Sequence, residues 1–380
     1  MNNFSYWERE IYFDNIDVII IGSGIVGLNA AMNLKQKAPK LKVMVLERGL
    51  FPDGASNRNA GFACFGSPSE LLEDLKTHTE EEVFTIVDRR WEGLQKLREN
   101  LGDKNIGYEP FGGYELFNPN DEALYEDCFY QLGYLNKQLS PIIGAFTTFK
   151  VVDHKINKFG FKHTNHLIEN VAEGQINTGK MMQSLLNKVL KLGIIVLNNF
   201  SVITFNDDIN MVEIHSDDGI VINAKKLLIA TDGYAKQLLP ELDVKPARAQ
   251  VLITKPIENL KIKGAYHFDK GFYYFRNVGN RILFGGGRNL NFKQEETFDM
   301  NLTAQIQDQL ELLLRETILP YMHFEIDMRW SGIMGMGDKK STILKNLSKN
   351  VFCAVISGGM GVAIGSLTGM EAADMVLESL

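Results

Sequence analysis

The stretch DVIIIGSGIVGLNAAMNL, residues 17–34, decides the fold of this sequence. It opens with a continuous apolar run, which is typical of a strand buried on both faces of a parallel sheet. Gly22, Gly24 and Gly27 follow in G-x-G-x-x-G spacing, and a helical segment rich in small residues comes next. The first glycine permits a tight turn, the second lets the backbone approach a pyrophosphate, and the third lets the helix lie against the strand. The free N–H groups at the start of that helix favour phosphate binding.

A second apolar strand, KVMVLE, ends at Glu47, twenty residues beyond Gly27. A carboxylate at this distance accepts hydrogen bonds from a ribose diol and repels a 2′-phosphate. The strand before the glycines, the helix after them and the acid beyond provide the context that a chance match lacks. We therefore predict a dinucleotide-binding βαβ unit, the alternative being a buried strand–turn–helix with incidental glycines. The motif does not distinguish FAD from NAD.

Composition and charge narrow the class of protein. The chain has 380 residues, 45% of them hydrophobic and 23% charged, which is enough for two or three globular domains. A net charge of −7 with interspersed acids and bases argues against a nucleic-acid surface. The cysteines Cys64, Cys128 and Cys353 form no metal or disulfide pattern, and His163 and His166 lack a third ligand, so we expect no metal site. With neither a signal peptide nor an apolar run long enough to span a bilayer, we expect a cytoplasmic protein.

Three further segments follow the glycine motif in a fixed order. GASNRNAG (54–61) is a loop of small and polar residues, and LLIATDGYAKQLLP (227–240) contains a strand that ends in A-T-x-G. NVFCAVISGGMGVAIGSLTGMEAADMV (350–376) contains a strand, a glycine turn and a closing helix. Together these segments resemble the D-amino acid oxidase, sarcosine oxidase and glycine oxidase superfamily of flavoproteins. The resemblance covers essentially the whole chain, and it is specific for the family rather than for a substrate.

The resemblance implies a non-covalently bound FAD. The loop after Glu47 would run along the pyrophosphate and under the ring system, where Ser56, Arg58 and Asn59 would present a hydroxyl, a cation and an amide. The helix after the C-terminal glycines would point its N-terminus at the N1–C2=O edge of the flavin, which is negatively charged when reduced. The cofactor-binding residues implied in this way are Gly22, Ser23, Gly24, Ile25, Val26, Gly27, Glu47, Arg48, Ser56, Arg58, Asn59, Ala60, Gly61, Val202, Ala230, Thr231, Gly233, Gly332, Gly358, Gly359, Met360, Gly361 and Val362.

The fold implied by the resemblance is α/β. A Rossmann-like FAD-binding domain of the glutathione-reductase type would be interleaved with an α+β substrate domain built on an antiparallel sheet. The FAD-binding domain would use residues 1–80, 165–245 and 330–380, and the substrate domain would use residues 81–164 and 246–329. Segments 246–256, 264–276 and 281–289 have the composition of strands and would form the antiparallel sheet.

The segment GFYYFR (271–276) contains the candidates for substrate contact. Alternate side chains of a strand share a face, so Tyr274 and Arg276 should point the same way. An arginine beside a tyrosine suits a carboxylate, which arginine binds bidentately. We therefore assign Tyr274 and Arg276 as catalytic-site candidates, the alternative being ordinary sheet packing with Arg276 on a wet face.

Four positions depart from the family pattern. Met334 stands where glycine and D-amino acid oxidases usually carry an arginine that anchors the substrate carboxylate, and Leu283 where a lysine assists the reaction with oxygen. Ser331 lies where monomeric sarcosine oxidases tether the flavin, and Ser357 where the C-terminal turn usually has a histidine or an aromatic residue. These departures favour non-covalent FAD and weaken the case for a simple α-amino acid and for oxygen as the acceptor.

The missing anchor leaves two interpretations of the substrate. Either Arg276, Arg288 or Arg329 replaces it, or the substrate is an amine without an α-carboxylate, which a pocket containing Met334 and Met336 would suit. We expect oxidation of the C–N bond of a small amino acid, N-methyl amino acid or amine by hydride transfer to flavin N5, with oxygen or another acceptor. The alternatives are a flavin dehydrogenase of a hydroxy acid or polyol phosphate, and a non-catalytic FAD-binding subunit. The oligomeric state stays open.

Overall fold

Two large sheets and the helices that pack on them make up the fold, in a computed structural model that describes residues 4–337, 341–356 and 358–380. The strands are Ile16–Ile21 (β1), Val43–Leu46 (β2), Phe62–Ala63 (β3), Gly113–Phe117 (β4), Phe149–Val151 (β5), His166–Asn170 (β6), Gly174–Gln175 (β7), Ile195–Leu197 (β8), Val202–Asp207 (β9), Val212–Ser216 (β10), Val221–Ile229 (β11), Lys245–Thr254 (β12), Ala265–Phe268 (β13), Tyr273–Val278 (β14), Arg281–Gly286 (β15), Ile326–Met336 (β16), Ile343–Asn346 (β17) and Val351–Val355 (β18). The α-helices are Tyr6–Glu8 (α1), Ile25–Lys37 (α2), Ala55–Arg58 (α3), Pro68–Asp74 (α4), Glu80–Leu101 (α5), Asp103–Ile106 (α6), Glu122–Ile143 (α7), Ile156–Phe159 (α8), Thr178–Lys191 (α9), Phe292–Glu295 (α10), Ala304–Leu313 (α11) and Gly361–Leu377 (α12). Among the described residues, no helix has the length and apolar character needed to cross a membrane.

The first sheet has the order β17-β18-β11-β1-β2-β8, and the hairpin β9–β10 pairs with β11. β1 runs parallel to both β11 and β2 at its centre. Val18, Ile19 and Ile20 are fully buried, because helices α2, α5, α9 and α12 cover one face and strands β9 and β10 contribute to the core on the other. Burial on both faces explains the unbroken apolar run in β1. The predicted Rossmann-like α/β architecture is confirmed.

Glycines allow β1, α2 and α12 to pack so closely that their backbones are in contact. A Cβ at Gly27 in α2 would lie 2.0 Å from the carbonyl oxygen of Gly22, at the end of β1. A Cβ at Gly369 in α12 would lie 2.6 Å from the carbonyl oxygen of Val26. Helix α2 is therefore held between β1 and α12, and any larger side chain at these positions would push the layers apart.

The second sheet has the order β16-β12-β15-β14-β13-β4-β6-β5. Only the β13–β4 pair within it is parallel among the described strands. Its core includes the aromatic side chains of Tyr266, Phe275 and Phe284, which pack in one cluster with residues of α11. The predicted strand segments are confirmed, except that 264–276 contains two strands, β13 and the start of β14, joined by a turn.

Two of the predicted domain boundaries fall beside strands of the second sheet. β6 begins at His166 and pairs with β4 and β5. β16 pairs with β12 along its length, up to the pair of Lys245 with Met336. Residues 166–170 and 330–336 therefore belong to the second sheet, because its main-chain hydrogen bonds continue past positions 165 and 330, where we predicted the FAD-binding domain to resume.

A buried ion pair fixes α10 to the second sheet. Arg248 in β12 donates hydrogen bonds of 2.8 and 2.7 Å to the two carboxylate oxygens of Glu295. The two side chains are 4% and 1% exposed. Gln250 donates to the same carboxylate at 3.0 Å. In an ion pair this deeply buried, each charge is compensated by the other, so the loss of one partner leaves an unpaired buried charge.

Glu295→Gln is expected to lower the free energy of unfolding by about 3–5 kcal/mol, because it leaves the Arg248 guanidinium buried without its counter-charge. Urea unfolding followed by far-ultraviolet circular dichroism measures the change. Lys255→Gln is the matched control, since Lys255 pairs with Glu325 while both side chains are more than half exposed, and its midpoint should equal that of the wild type. Equal midpoints for both variants would contradict a structural role for the buried pair.

Candidate active site

A cavity of about 720 Å³ lies between the two sheets. Its wall combines the glycine loop after β1, the loop 54–61, the N-terminus of α12 and residues of β13 to β15. The cavity is therefore continuous from the dinucleotide motif to the strand on which we placed the substrate contacts. It has one end formed by the first sheet and another formed by the second.

The glycine loop forms a cradle at the first end. Gly22 has a φ of +104°, which favours glycine, and a Cβ there would lie 2.6 Å from the carbonyl oxygen of Ala230. A Cβ at Gly24 would lie 3.0 Å from Oγ of Ser56, and that hydroxyl accepts a hydrogen bond from the N–H of Ile25 at 2.9 Å. Backbone at the start of α2 is thus exposed to the cavity where side chains would otherwise fill it. This geometry fits a dinucleotide pyrophosphate.

Glu47 lies at the end of β2, on the cavity wall and largely buried. Its carboxylate accepts hydrogen bonds from the N–H and the hydroxyl of Ser23, at 3.2 and 2.5 Å, and from the N–H of Gly49 at 2.8 Å. These donors fix the carboxylate in place. Ser23 therefore does not line the cavity but orients the carboxylate that we predict to bind the ribose diol.

The polar side chains of the loop after Glu47 mainly hold the loop itself. Arg58 forms an ion pair with Asp53 at 2.6 Å and donates to the carbonyl oxygen of Ser331 at 3.1 Å. Asn59 donates to the carbonyl oxygen of Ser56 at 2.8 Å and accepts from the N–H of Gly61 at 2.8 Å. These bonds present the backbone of residues 54–61 to the cavity. Direct contact of Ser56, Arg58 and Asn59 with the cofactor stays a prediction, and all three residues line the cavity.

The C-terminal segment closes the cofactor end. Gly358 and Gly359 have φ angles of +113° and +76°, and α12 begins two residues later with its N-terminus on the cavity wall. The partial positive charge of a helix N-terminus favours a negatively charged group. Thr231 adds a hydroxyl that is buried on the wall without a hydrogen-bond partner among the described residues. Ser357 lies outside the described residues.

Most residues predicted to bind the cofactor lie on this wall. They are Gly22, Gly24, Ile25, Val26, Glu47, Arg48, Ser56, Arg58, Asn59, Ala60, Gly61, Val202, Ala230, Thr231, Gly332, Gly358, Gly359, Met360, Gly361 and Val362. Ser23, Gly27 and Gly233 do not line it. Gly27 packs α2 on β1, and a Cβ at Gly233 would lie 2.8 Å from the backbone of Met334. These glycines bring the elements of the wall together rather than contacting the cavity.

Tyr274 and Arg276 point toward the first domain, as the strand alternation predicts, but they have different surroundings. Tyr274 lies on the cavity wall, with its ring 5.7 Å from that of Phe62 in an edge-to-face arrangement, and burial raises its pKa to about 12. Arg276 does not line the cavity. Its guanidinium is 6% exposed and donates to the carbonyl oxygens of Ala60, Ile176 and Asn277. The predicted carboxylate contact of Arg276 is corrected accordingly, because backbone carbonyls already use its donors.

The other two arginines considered as anchors also differ. Arg329 is bound to Gln307 and Glu311 and does not reach the cavity. Arg288 lies on the wall just after β15, with its guanidinium 5.0 Å from the centre of the Phe292 ring. Within the part of the chain that the structure describes, it makes no hydrogen bond or ion pair. Of the three arginines considered as anchors, Arg288 is therefore the one that lines the cavity and has no hydrogen-bond or ion-pair partner among the described residues.

The rest of the cavity wall has one region of apolar side chains and another of ionisable side chains. Met300, Met334, Met336 and Met360 contribute thioethers, as the methionine pair in the sequence suggested. Glu70, Glu173 and His267 line the opposite region, and none of them was predicted from the sequence. The alternation of His267 with two aromatic residues in β13 is the signal that could have identified it, since it places the histidine on the same face as Tyr274. No cluster of potential metal ligands occurs among the described residues.

Comparisons with known proteins show the family of the chain. Residues 17–375 match the DAO family, described as FAD dependent oxidoreductase. The chain is similar to the probable oxidoreductase OrdL of Haemophilus influenzae, with 22% identity across 99% of this chain and 90% of that protein. Its fold is similar to that of L-proline dehydrogenase from P. horikoshii, with a TM-score of 0.75 at 16% identity, covering 96% of this chain and 94% of that one. The glycine oxidase of Bacillus cereus gives a TM-score of 0.75 at 17% identity, covering 96% of both chains. The family resemblance predicted from the sequence is confirmed, and the chain belongs to the FAD-dependent oxidoreductases of the DAO family, which bind FAD.

Proposed function

We propose that the protein oxidises the C–N bond of a small amino acid, N-methyl amino acid or amine. FAD, held without a covalent bond, supplies a hydride acceptor at N5 of the flavin. The substrate would lie in the part of the cavity between Tyr274 and the loop 54–61. The protein's own groups would bind the substrate, orient its α-carbon and exclude water.

One observation carries this proposal: a free guanidinium and a phenol share the wall of a cavity that begins at a dinucleotide cradle. Tyr274 is in β14 and Arg288 follows the adjacent strand β15. Burial raises the pKa of Tyr274, and the charge of Arg288 opposes this with a smaller lowering effect. An unpaired guanidinium in an apolar wall favours a carboxylate, which it can bind through two parallel hydrogen bonds. The pairing favours an amino acid over a simple amine.

Relatives of the chain support the same class of substrate. Two of the similar structures are named for the amino acids glycine and proline, and a third is an iminodiacetate oxidase. The names cover both oxidases and a dehydrogenase. We therefore leave the acceptor as oxygen or another electron carrier, and the free cysteines of the described chain are compatible with the reducing environment of the cytoplasm.

The visible spectrum of the purified protein tests the function directly. Under anaerobic conditions, the absorption band of oxidised flavin at about 450 nm should bleach with pooled amino acids or N-methyl amino acids. Hydroxy acids and polyol phosphates should leave it unchanged. Readmission of air then separates an oxidase from a dehydrogenase by the rate at which the colour returns. A flavin band that no amine or amino acid bleaches would exclude the proposed reaction for those compounds.

Arg288→Met should raise KM for a carboxylate-bearing substrate about tenfold or more, because charge-assisted hydrogen bonds contribute about 1.5–3 kcal/mol. The value of KM for an amine without a carboxylate should stay unchanged in the same variant. Steady-state kinetics with both substrates measures the difference. Arg329→Met is the control, since Arg329 lies away from the cavity, and it should leave both values of KM near wild type. An unchanged KM in Arg288→Met would remove Arg288 from the substrate site.

A further inference from the structure

Glu173 is a buried carboxyl group on the cavity wall. It lies between β6 and β7, and its residue surface is 2% exposed. Oε1 accepts hydrogen bonds from the N–H groups of Phe65 at 3.0 Å and Gly66 at 3.4 Å. No described residue donates a hydrogen bond to Oε2. This oxygen packs against Gly113, where an added Cβ would lie 1.9 Å from it. One carboxyl oxygen of this cavity-wall residue is therefore held by backbone N–H groups, and the other receives no hydrogen bond from a described residue.

His267 is an imidazole on the same region of wall. It stands directly opposite Tyr274 in the β13–β14 hairpin and beside Glu115 of β4. Its Nδ1 atom is buried and has no hydrogen-bond partner among the described residues. Its charge lowers the pKa of Glu173 against the larger effect of burial, which raises that pKa to about 7. His267 is therefore close enough to affect the protonation of Glu173.

Other charged groups near Glu173 are already engaged. Glu70 caps α4 through the N–H of Ser67, and Glu115 is bound to the N–H and hydroxyl of Ser69 and does not line the cavity. The titratable and charged groups that face this region are Cys64, Glu70, Arg90, Tyr108, Glu115 and His267. Arg90 is bound to the carbonyl oxygen of Phe65. Of the carboxyl groups here, Glu173 combines deep burial, a place on the wall and an unbound oxygen.

Oxidation of an amine by hydride loss requires the nitrogen lone pair. In an ammonium ion that pair is held in an N–H bond and cannot form the C=N bond as the hydride departs. Most free amines are protonated at neutral pH, since an alkylammonium has a pKa of about 10. The bound substrate must therefore lose a proton before the C–H bond breaks, and a base on the cavity wall would supply that step.

We propose that the carboxylate of Glu173 accepts the proton of the substrate ammonium group, and that His267 is a positioning residue which keeps this carboxylate ionised. The proposal rests on the proposed function. The N–H bond breaks and its electron pair stays on nitrogen, while the proton forms an O–H bond with the carboxylate of Glu173. A bound FAD would supply the acceptor for the hydride of the C–H bond, and the freed nitrogen lone pair would then form the C=N bond of the imine.

Stopped-flow measurement of flavin reduction against pH tests the role of Glu173, using the amino acid found by the pooled screen. In the wild type, the rate should rise with pH through about 7, as the carboxylate forms. Glu173→Gln should slow reduction about 100-fold at pH 7.5 and recover near pH 10, where the substrate itself loses the proton. A Glu173→Gln profile that matches the wild type would overturn the proposal.

Two further variants separate catalysis from structure. His267→Asn should move the rise in rate to higher pH, because the positive charge that lowers the pKa of Glu173 is lost. Glu115→Gln is the matched control, since it removes a buried carboxyl group from the same neighbourhood without altering the wall, and it should keep the wild-type profile. An equal shift in both variants would show that the histidine acts only through general packing.

An infrared titration of the protein without substrate provides a readout that is independent of turnover. The wild type should show a buried carboxylic acid C=O band that disappears with a midpoint near pH 7. That band should be missing in Glu173→Gln and present in Glu115→Gln. The absence of any such titrating band in the wild type would overturn the proposal even if amines reduce the flavin. A band with the expected midpoint but no reduction by any amine would contradict the proposed function instead.

Discussion

The guanidinium of Arg276 joins the two ends of the cavity. It extends from β14 of the second sheet and donates to the carbonyl oxygens of Ala60 and Ile176, which lie on either side of Gly61. Buried carbonyl groups without a partner are costly, so these bonds hold the loop against the strand. Tyr274, two residues earlier on the same face, is thereby fixed relative to the cofactor loop. The spacing between the loop 54–61 and Tyr274 depends on this contact.

The cofactor end could be predicted in detail because its signals are local. Gly22, Gly24 and Gly27 serve one strand, one turn and one helix, and their spacing is sufficient to define the unit. The acid at Glu47 follows at a distance set by the same unit. The role of Ser23 was harder to predict, since its hydroxyl binds an acid that lies on the next strand. The contact of the Arg58 Cβ with Gly332 was equally hard to predict, because α3 and β16 meet only in the folded chain.

The substrate end could be predicted only in part. The alternation of side chains along β14 correctly placed Tyr274 and Arg276 on one face. It does not predict which groups accept hydrogen bonds from the Arg276 guanidinium. The backbone carbonyls that bind Arg276 come from residues 60 and 176, far away in sequence. Glu173 sits in a short connection, where a single glutamate is normally solvated. Its burial follows from the packing of that connection against the backbone of residues 65 and 66, which no sequence pattern reports.

The substitution of methionine for the usual arginine at position 334 changes where a carboxylate can bind. β16 presents the thioether of Met334 to the cavity, next to the turn at Gly359. The free guanidinium is instead carried by Arg288, which follows Gly286 and Gly287, whose φ angles are +122° and +79°. These conformations bend the chain after β15 and bring Arg288 onto the wall.

Arg288 follows β15, and Glu173 packs against Gly113 of β4, which is separated from β15 by β14 and β13 in the order of the second sheet. Tyr274 on β14 lies between them. An amino acid bound across this space would direct its carboxylate to one side and its ammonium group to the other. The α-carbon would then be held over the middle of the cavity, where the thioethers of Met334 and Met360 exclude water and strengthen both charge contacts. On the proposed function, a cation at Arg288 and a base at Glu173 would thus give the substrate a defined orientation, which hydride transfer requires.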